Sequence, residues 1–308
     1  MARRGSPRNP RYRGGGPPQF IGKPFCLGGI LVTDHHQLSI SINLAGLTDR
    51  IQRYLRASMS LVAIGLNAGK SISADDLQLP DVTTHHQFDS SNAWTIEEAG
   101  AAWKTWVLRN GFRDVAEAIS GLLEEVQSVL SCWQLVKVQQ DRSIRGEDWN
   151  EMVVTRGSRF HRLGLPEKID FLKKEYGLVL NDPLVQQVLS INGARNCLVH
   201  RGGMVTAQDT RGGDHLTIEW SALVILITEK GVEKEIEPPY LVEAGGTLGV
   251  ATRPRTKAIP IGQPLSVTAK EFSQICWTLF VFAMTCAQTL EAHGKLQGIQ
   301  FRSKADAT

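Results

Sequence analysis

Apolar residues along the chain recur with two different periods. Phe112, Val115, Ile119, Leu122, Val126, Val129 and Trp133 return every three or four positions, which predicts a long amphipathic helix. A helix at about 95–109 precedes it, contributing Ile96, Trp103, Trp106 and Val107, with Gly111 as the break between the two. Nearer the N-terminus, Leu38, Ile40, Ile42 and Leu44 alternate as in a half-buried strand, and Leu47, Ile51, Leu55, Ser58 and Val62 then take up helical spacing. Residues 21–93 form a small, weakly defined N-terminal segment that ends in a polar connecting loop over 67–93.

Trp149, Met152, Val153 and Phe160 predict a further helix. Pro166 opens the next, which carries Ile169, Leu172 and Tyr176 on one face and stops at Gly177. Asp182 is placed to cap a helix with Pro183 at its first position. Beyond that helix, Leu216, Ile218 and Trp220 alternate, Leu223 to Ile227 is continuously apolar, and turn residues stand at Lys230–Gly231, Pro238–Pro239 and Gly245–Gly246. Residues 214–267 therefore read as a small antiparallel β insertion. A last helix over about 268–292 buries Phe272, Ile275, Cys276, Leu279, Phe282, Ala283, Cys286 and Leu290. The fold class is mainly α: an antiparallel helical bundle over 94–308, interrupted by β hairpins, without internal repeats.

With 308 residues, 42% hydrophobic and 21% charged, the chain is long and apolar enough for one large core or two smaller ones. The net charge of +3 is small, but Arg3, Arg4, Arg8, Arg11 and Arg13 crowd into a glycine- and proline-rich start. Residues 1–20 are expected to be a disordered basic tail, able to attract RNA phosphates by charge alone. No apolar stretch follows these arginines closely enough to make a signal peptide. The apolar run Ile275 to Thr289 includes Thr278, Thr285 and Gln288 and falls short of the roughly 20 residues a bilayer requires, so no membrane span is expected. The five cysteines, Cys26, Cys132, Cys197, Cys276 and Cys286, are odd in number, scattered and mostly set among apolar neighbours. They suit buried thiols in a cytoplasmic protein rather than disulfides or a metal cage.

One short stretch carries candidate chemistry: ARNCLVHRGG, residues 194–203. An arginine and a histidine with four residues between them are not rare, and RGSRFH repeats the spacing with Arg156 and His161. What sets the first pair apart is context. Asn196 follows Arg195, Leu198 and Val199 anchor the segment, and Gly202 and Gly203 end the helix just past His200. On a helical wheel Leu184, Val188, Ile191, Arg195 and Leu198 share one stripe, which sends Arg195 toward the core and demands a carboxylate partner or a hydrated cleft. Glu125, bordering the apolar stripe of the long helix, is one candidate partner. His200 lies about 140° round the helix from Arg195. The two converge only if the arginine bends round, the last turn unwinds, or a second copy approaches across a two-fold axis.

RNCLVH, Arg195 to His200, resembles the arginine, polar residue, three residues, histidine signature of the HEPN superfamily. The resemblance covers about 95–205 and the final helix. It implies an all-α bundle, a metal-independent endoribonuclease needing no cofactor, and a homodimer that brings two motifs together, as in toxins and antiviral defence effectors with a partner protein. On that reading Arg195 binds the scissile phosphate, Asn196 orients the groups, and His200 acts as general base or acid on RNA. One departure concerns the partner: members silenced by a nucleotidyltransferase often carry tyrosine two residues after the histidine, where this chain has Gly202. The rival reading is a non-catalytic RNA- or protein-binding scaffold of the same fold.

Other signals are weaker. GLNAGKS, residues 65–71, has the ring of a phosphate loop but places Ile64 where glycine is required and follows a helix instead of a strand. The pairs His35–His36 and His85–His86 lack zinc-site spacing and read as solvated loop histidines. Glu124 and Glu125 read as solvent-facing.

Overall fold

The structure is a computed structural model that describes residues 27–32, 38–73, 94–138, 146–237, 246–299 and 301. The basic tail, the two histidine pairs, Cys26 and the Pro238–Pro239 turn lie outside the described residues. In chain order the elements begin with β1 (Leu27–Val32), β2 (Leu38–Ile42), α1 (Ala45–Ala68) and α2 (Ile96–Val138). Next come α3 (Gly146–Trp149), a π-helical turn (Asn150–Thr155), α4 (Arg156–His161), α5 (Leu165–Tyr176) and α6 (Asp182–His200). The chain closes with β3 (His215–Glu229), β4 (Val232–Ile236), β5 (Thr247–Pro260) and α7 (Ala269–Leu296). The protein is mainly helical, with a three-stranded antiparallel sheet ordered β4-β3-β5 and a separate β1-β2 pair.

The long helices alternate in direction. On α1, Arg50 reaches Glu125 and Ser58 reaches Asp114 of α2, so rising numbers on one helix meet falling numbers on the other. Helix α7 runs parallel to α2, since Gly111 lies against Phe272 and Gly294 against Trp133. The α1 residues Leu47, Ile51, Leu55, Ser58 and Val62 are its buried row, as their spacing predicts. The four apolar ones join Phe112, Val115, Ile119 and Val126 of α2 and Phe272, Ile275, Leu279 and Phe282 of α7 in one core. Burying each such side chain contributes on the order of 1.5–3 kcal/mol. Helix α1 of the 21–93 segment is thus built into the bundle. Helix α7 is long and apolar enough to cross a bilayer by length and composition, yet one face of it, from Phe272 to Leu290, lies in the core here.

The expected break at Gly111 does not occur: α2 runs unbroken for 43 residues. Glycine stands there because the helices meet closely. A Cβ on Gly111 would lie 2.3 Å from Val62 Cγ2 and 3.3 Å from Phe272 Cζ. The closing glycine of α5 behaves as expected, with Gly177 in the left-handed region at φ 69°.

Strand β3 is stapled to the helices where β4 does not reach. The Ser221 N–H donates to Thr278 Oγ1 of α7 at 2.9 Å, and that hydroxyl donates back to the Ser221 carbonyl at 3.0 Å. Ser190 of α6 does the same for Glu219, at 2.8 and 3.2 Å. Even-numbered residues from Leu216 to Leu226 are buried, while Leu223 and Ile225 face out, so the apolar run alternates as far as Leu226 and loses step at the buried Ile227. The Lys230–Gly231 turn has positive φ at both residues, 53° and 77°, as a tight two-residue hairpin requires.

Candidate functional site

Helix α6 begins one residue earlier than the sequence suggests. Asn181 is the N-cap, its Oδ1 accepting from the Leu184 N–H at 3.2 Å, with Asp182 and Pro183 in the first turn. The buried residues of α6 are Val185, Val188, Ile191, Ala194 and Cys197. Each step of three residues falls about 60° short of a full turn, so the buried face wraps through about 240° along the helix. The expected stripe coincides with it at Val188 and Ile191 and then parts from it. Ala194 and Cys197 take the core, leaving Arg195 on the flank with 22% of its side chain exposed.

The partner of Arg195 is Glu117, two turns before the expected Glu125, which pairs with Arg50 at 2.6 Å instead. Arg195 Nε and Nη2 both donate to Glu117 Oε2, at 3.2 and 2.5 Å, and Nη1 donates to Asn196 Oδ1 at 3.1 Å. A guanidinium has five N–H donors, so two remain for a ligand. Glu117 is 43% exposed, which leaves this pair hydrated and contributing about 0–1 kcal/mol to stability. Its effect is to hold the guanidinium in one plane.

His200 is the last residue of α6 and is exposed, and it has no hydrogen-bond or ion-pair partner among the described residues. The helix is intact up to it: the N–H groups of Arg201 and Gly203 both reach the Cys197 carbonyl, at 3.1 and 3.0 Å. Gly202 and Gly203 take φ of 60° and 82°, closing the helix end. Of the three routes to convergence, an unwound last turn and an arginine bent toward the histidine are therefore not adopted in the single chain. Approach of a second copy is the route left open. The look-alike pair is committed elsewhere, with Arg156 donating to Gln134 and His161 Nδ1 3.0 Å from Glu124 Oε1.

Three further groups frame the helix end that motif reading passed over. Arg109 of α2 donates to the Gly202 carbonyl at 3.4 Å and to the Leu265 carbonyl at 3.3 Å, lying flat enough on Gly203 that a Cβ there would be 3.3 Å from its Cζ. Its Nε is buried with no hydrogen-bond partner among the described residues. Arg201 pairs with Asp209, through Nε at 2.8 Å and through Nη2, and the Asp209 carboxylate is completely buried. Burial alone would raise that carboxyl's pKa, but hydrogen bonds from Arg201 and from the Thr206 N–H and hydroxyl outweigh it and hold the group below the usual range. The loop after His200 is thereby fixed. Its one weak sequence signal is the T-x-x-D spacing of Thr206 and Asp209.

Cys132, Cys197, Cys276 and Cys286 are buried free thiols, with burial pushing Cys132 up to about 11 and Cys276 up to about 12. No cluster of metal-ligating side chains occurs among the described residues. No protein-family model, no curated protein and no solved structure matches the chain.

Proposed function

We propose that the chain is a HEPN-like, metal-independent endoribonuclease acting on RNA in the cytoplasm as a homodimer. The observation that carries this reading is the contrast at the end of α6: a guanidinium held in place with donors to spare, and, five residues further on, an imidazole left uncommitted. Arg195 binds a non-bridging oxygen of the scissile phosphate and the charge that grows on it. His200 takes the proton of the ribose 2′-hydroxyl, whose oxygen attacks phosphorus, or gives a proton to the departing 5′-oxygen. Asn196 keeps the guanidinium oriented. The P–O5′ bond breaks as the P–O2′ bond forms, leaving a 2′,3′-cyclic phosphate and a 5′-hydroxyl, so RNA is cut and DNA spared. Arg195 and His200 from two copies of α6 act on one phosphodiester, because within one helix they point about 140° apart.

The test is cleavage of labelled RNA in EDTA by wild type, His200→Ala and Arg195→Ala. Loss of cleavage in both variants, with a cyclic-phosphate product from wild type, is expected. Cleavage that persists in both overturns the site. The Glu117–Arg195 pair favours a second reading, a non-catalytic RNA- or protein-binding scaffold, and absence of cleavage by wild type selects it. Growth arrest on expression, relieved by His200→Ala, is the outcome expected of a toxin or defence effector with a controlling partner.

A further inference from the structure

Trp106, Arg109, Arg113 and Glu117 follow one another along α2 at intervals of three and four residues. At about 100° per residue they fall within about 80° of one another, on one stripe of the helix. Two of them are already fixed against α6: Glu117 on Arg195, and Arg109 on the carbonyl of Gly202. These two contacts set the antiparallel register of the helices. They place Arg113 midway, level with Leu198 and Val199, and so between Arg195 and His200 along the axis. Arg113 is exposed and has no hydrogen-bond or ion-pair partner among the described residues.

Trp106 stands one turn before Arg109 and is 57% exposed. Its ring stacks on Trp103, centroids 5.3 Å apart and planes 22° from parallel. Trp103 is itself pinned, its Nε1 donating to the Gly65 carbonyl at 2.6 Å. The result is a braced indole plane facing solvent, about 10 Å of helical rise from Arg113.

The geometry points to a track for single-stranded RNA along this face, in which an unpaired base stacks on Trp106 and a backbone phosphate pairs with Arg113, leading the strand to Arg195 and His200. It rests on the ribonuclease reading for where the strand is delivered. An exposed aromatic plane and a row of guanidiniums are what an unstructured strand needs, because every base has a π face and every linkage a charge. A duplex offers the charge but hides its base faces, so Trp106 discriminates between the two. Arg109 is engaged with main-chain carbonyls and serves as a brace, which leaves Arg113 for the phosphate.

The test is equilibrium binding of fluorescein-labelled oligouridine, and of a labelled RNA duplex, to the full chain carrying His200→Ala, over a range of salt. Adding Trp106→Ala is expected to weaken oligouridine binding about five- to hundredfold and leave the duplex unaffected, with Trp106→Phe restoring most of it. Arg113→Gln is expected to reduce the slope of log affinity against log salt by about 0.7 for oligouridine, and Arg113→Lys to restore it. The proposal is overturned by no binding in the parent, by Trp106→Ala without effect, or by equal losses for oligouridine and duplex. It is also overturned if Trp106→Ala changes the oligomeric state and not RNA affinity, which makes the tryptophan face a protein contact. Wild type that binds in the expected pattern without cutting RNA overturns the ribonuclease reading alone. Wild type that cuts RNA with Trp106→Ala unimpaired in binding overturns this track alone.

Discussion

Arg195 and Glu117 meet across the α2–α6 contact, two guanidinium nitrogens converging on one carboxylate oxygen at 2.5 and 3.2 Å. The pair is too hydrated to matter much for stability, so its consequence lies in the orientation of the arginine. Glu117→Gln is expected to change the unfolding free energy by less than about 1 kcal/mol. On the ribonuclease proposal, RNA cleavage under single-turnover conditions is expected to fall at least about tenfold, the cost of misplacing a group that would meet the transition state. An unchanged cleavage rate would show that Glu117 does not orient Arg195.

Gly111 lies where two helices and an aromatic ring close on the same point. In an open helix interior Gly→Ala is stabilising by about 1 kcal/mol. Here the added methyl meets Val62 at 2.3 Å, and Gly111→Ala is expected to destabilise by about 1–3 kcal/mol, read as a lower urea midpoint. Adding Val62→Ala should recover part of the loss by making room. Stabilisation by Gly111→Ala alone would contradict the close approach.

Asp209 holds the segment after His200 through a completely buried carboxylate whose pKa is depressed. Its stabilisation is fully present above the unfolded aspartate value near 3.9 and is lost as pH falls through the lower folded value. Urea titrations at pH 7 and at successively lower pH should show wild type losing stability below about pH 4. Asp209→Asn should be less stable by about 3 kcal/mol at pH 7, because it strands Arg201. The gap between the two proteins should narrow in acid, and a constant gap would count against the buried ion pair.

Burial raises the thiols of Cys132, Cys197, Cys276 and Cys286, so little thiolate exists at neutral pH. Iodoacetamide at pH 8 is expected to leave these four unmodified in the folded protein and to label all of them in urea, as read by mass spectrometry. Rapid native labelling of any of the four would contradict its burial.

Lys168 is 1% exposed, donating to Ser120 Oγ at 2.6 Å and Glu124 Oε1 at 2.5 Å beneath the Phe160 ring. Lys168→Ala removes the buried one of Glu124's two partners, leaving the exposed His161, and opens a cavity, with an expected loss of about 3 kcal/mol. Lys168→Ala combined with Glu124→Leu should recover stability relative to the single variant. Glu124 was legible only as a solvent-facing acid, because the sequence does not disclose that α5 carries a lysine to it.

Local chemistry was decided by the sequence alone. The α1 row from Leu47 to Val62, the glycine ends at Gly177 and Gly202, the tight turn at Lys230–Gly231 and the β insertion all depend on dihedral preferences and burial periods within a few residues. Tertiary structure decided what required knowing the neighbour across a contact. Gly111 reads as a helix break until Val62 is seen to occupy its space, and Arg195 reads as a core residue until the buried face of α6 is seen to wrap away from it. Its acid is Glu117 and not Glu125 because the register of two antiparallel helices, 78 residues apart in sequence, is fixed by packing. The same register sets Arg113 level with the motif. Residue spacing along one helix carries no information on which side chains of another helix stand level with it.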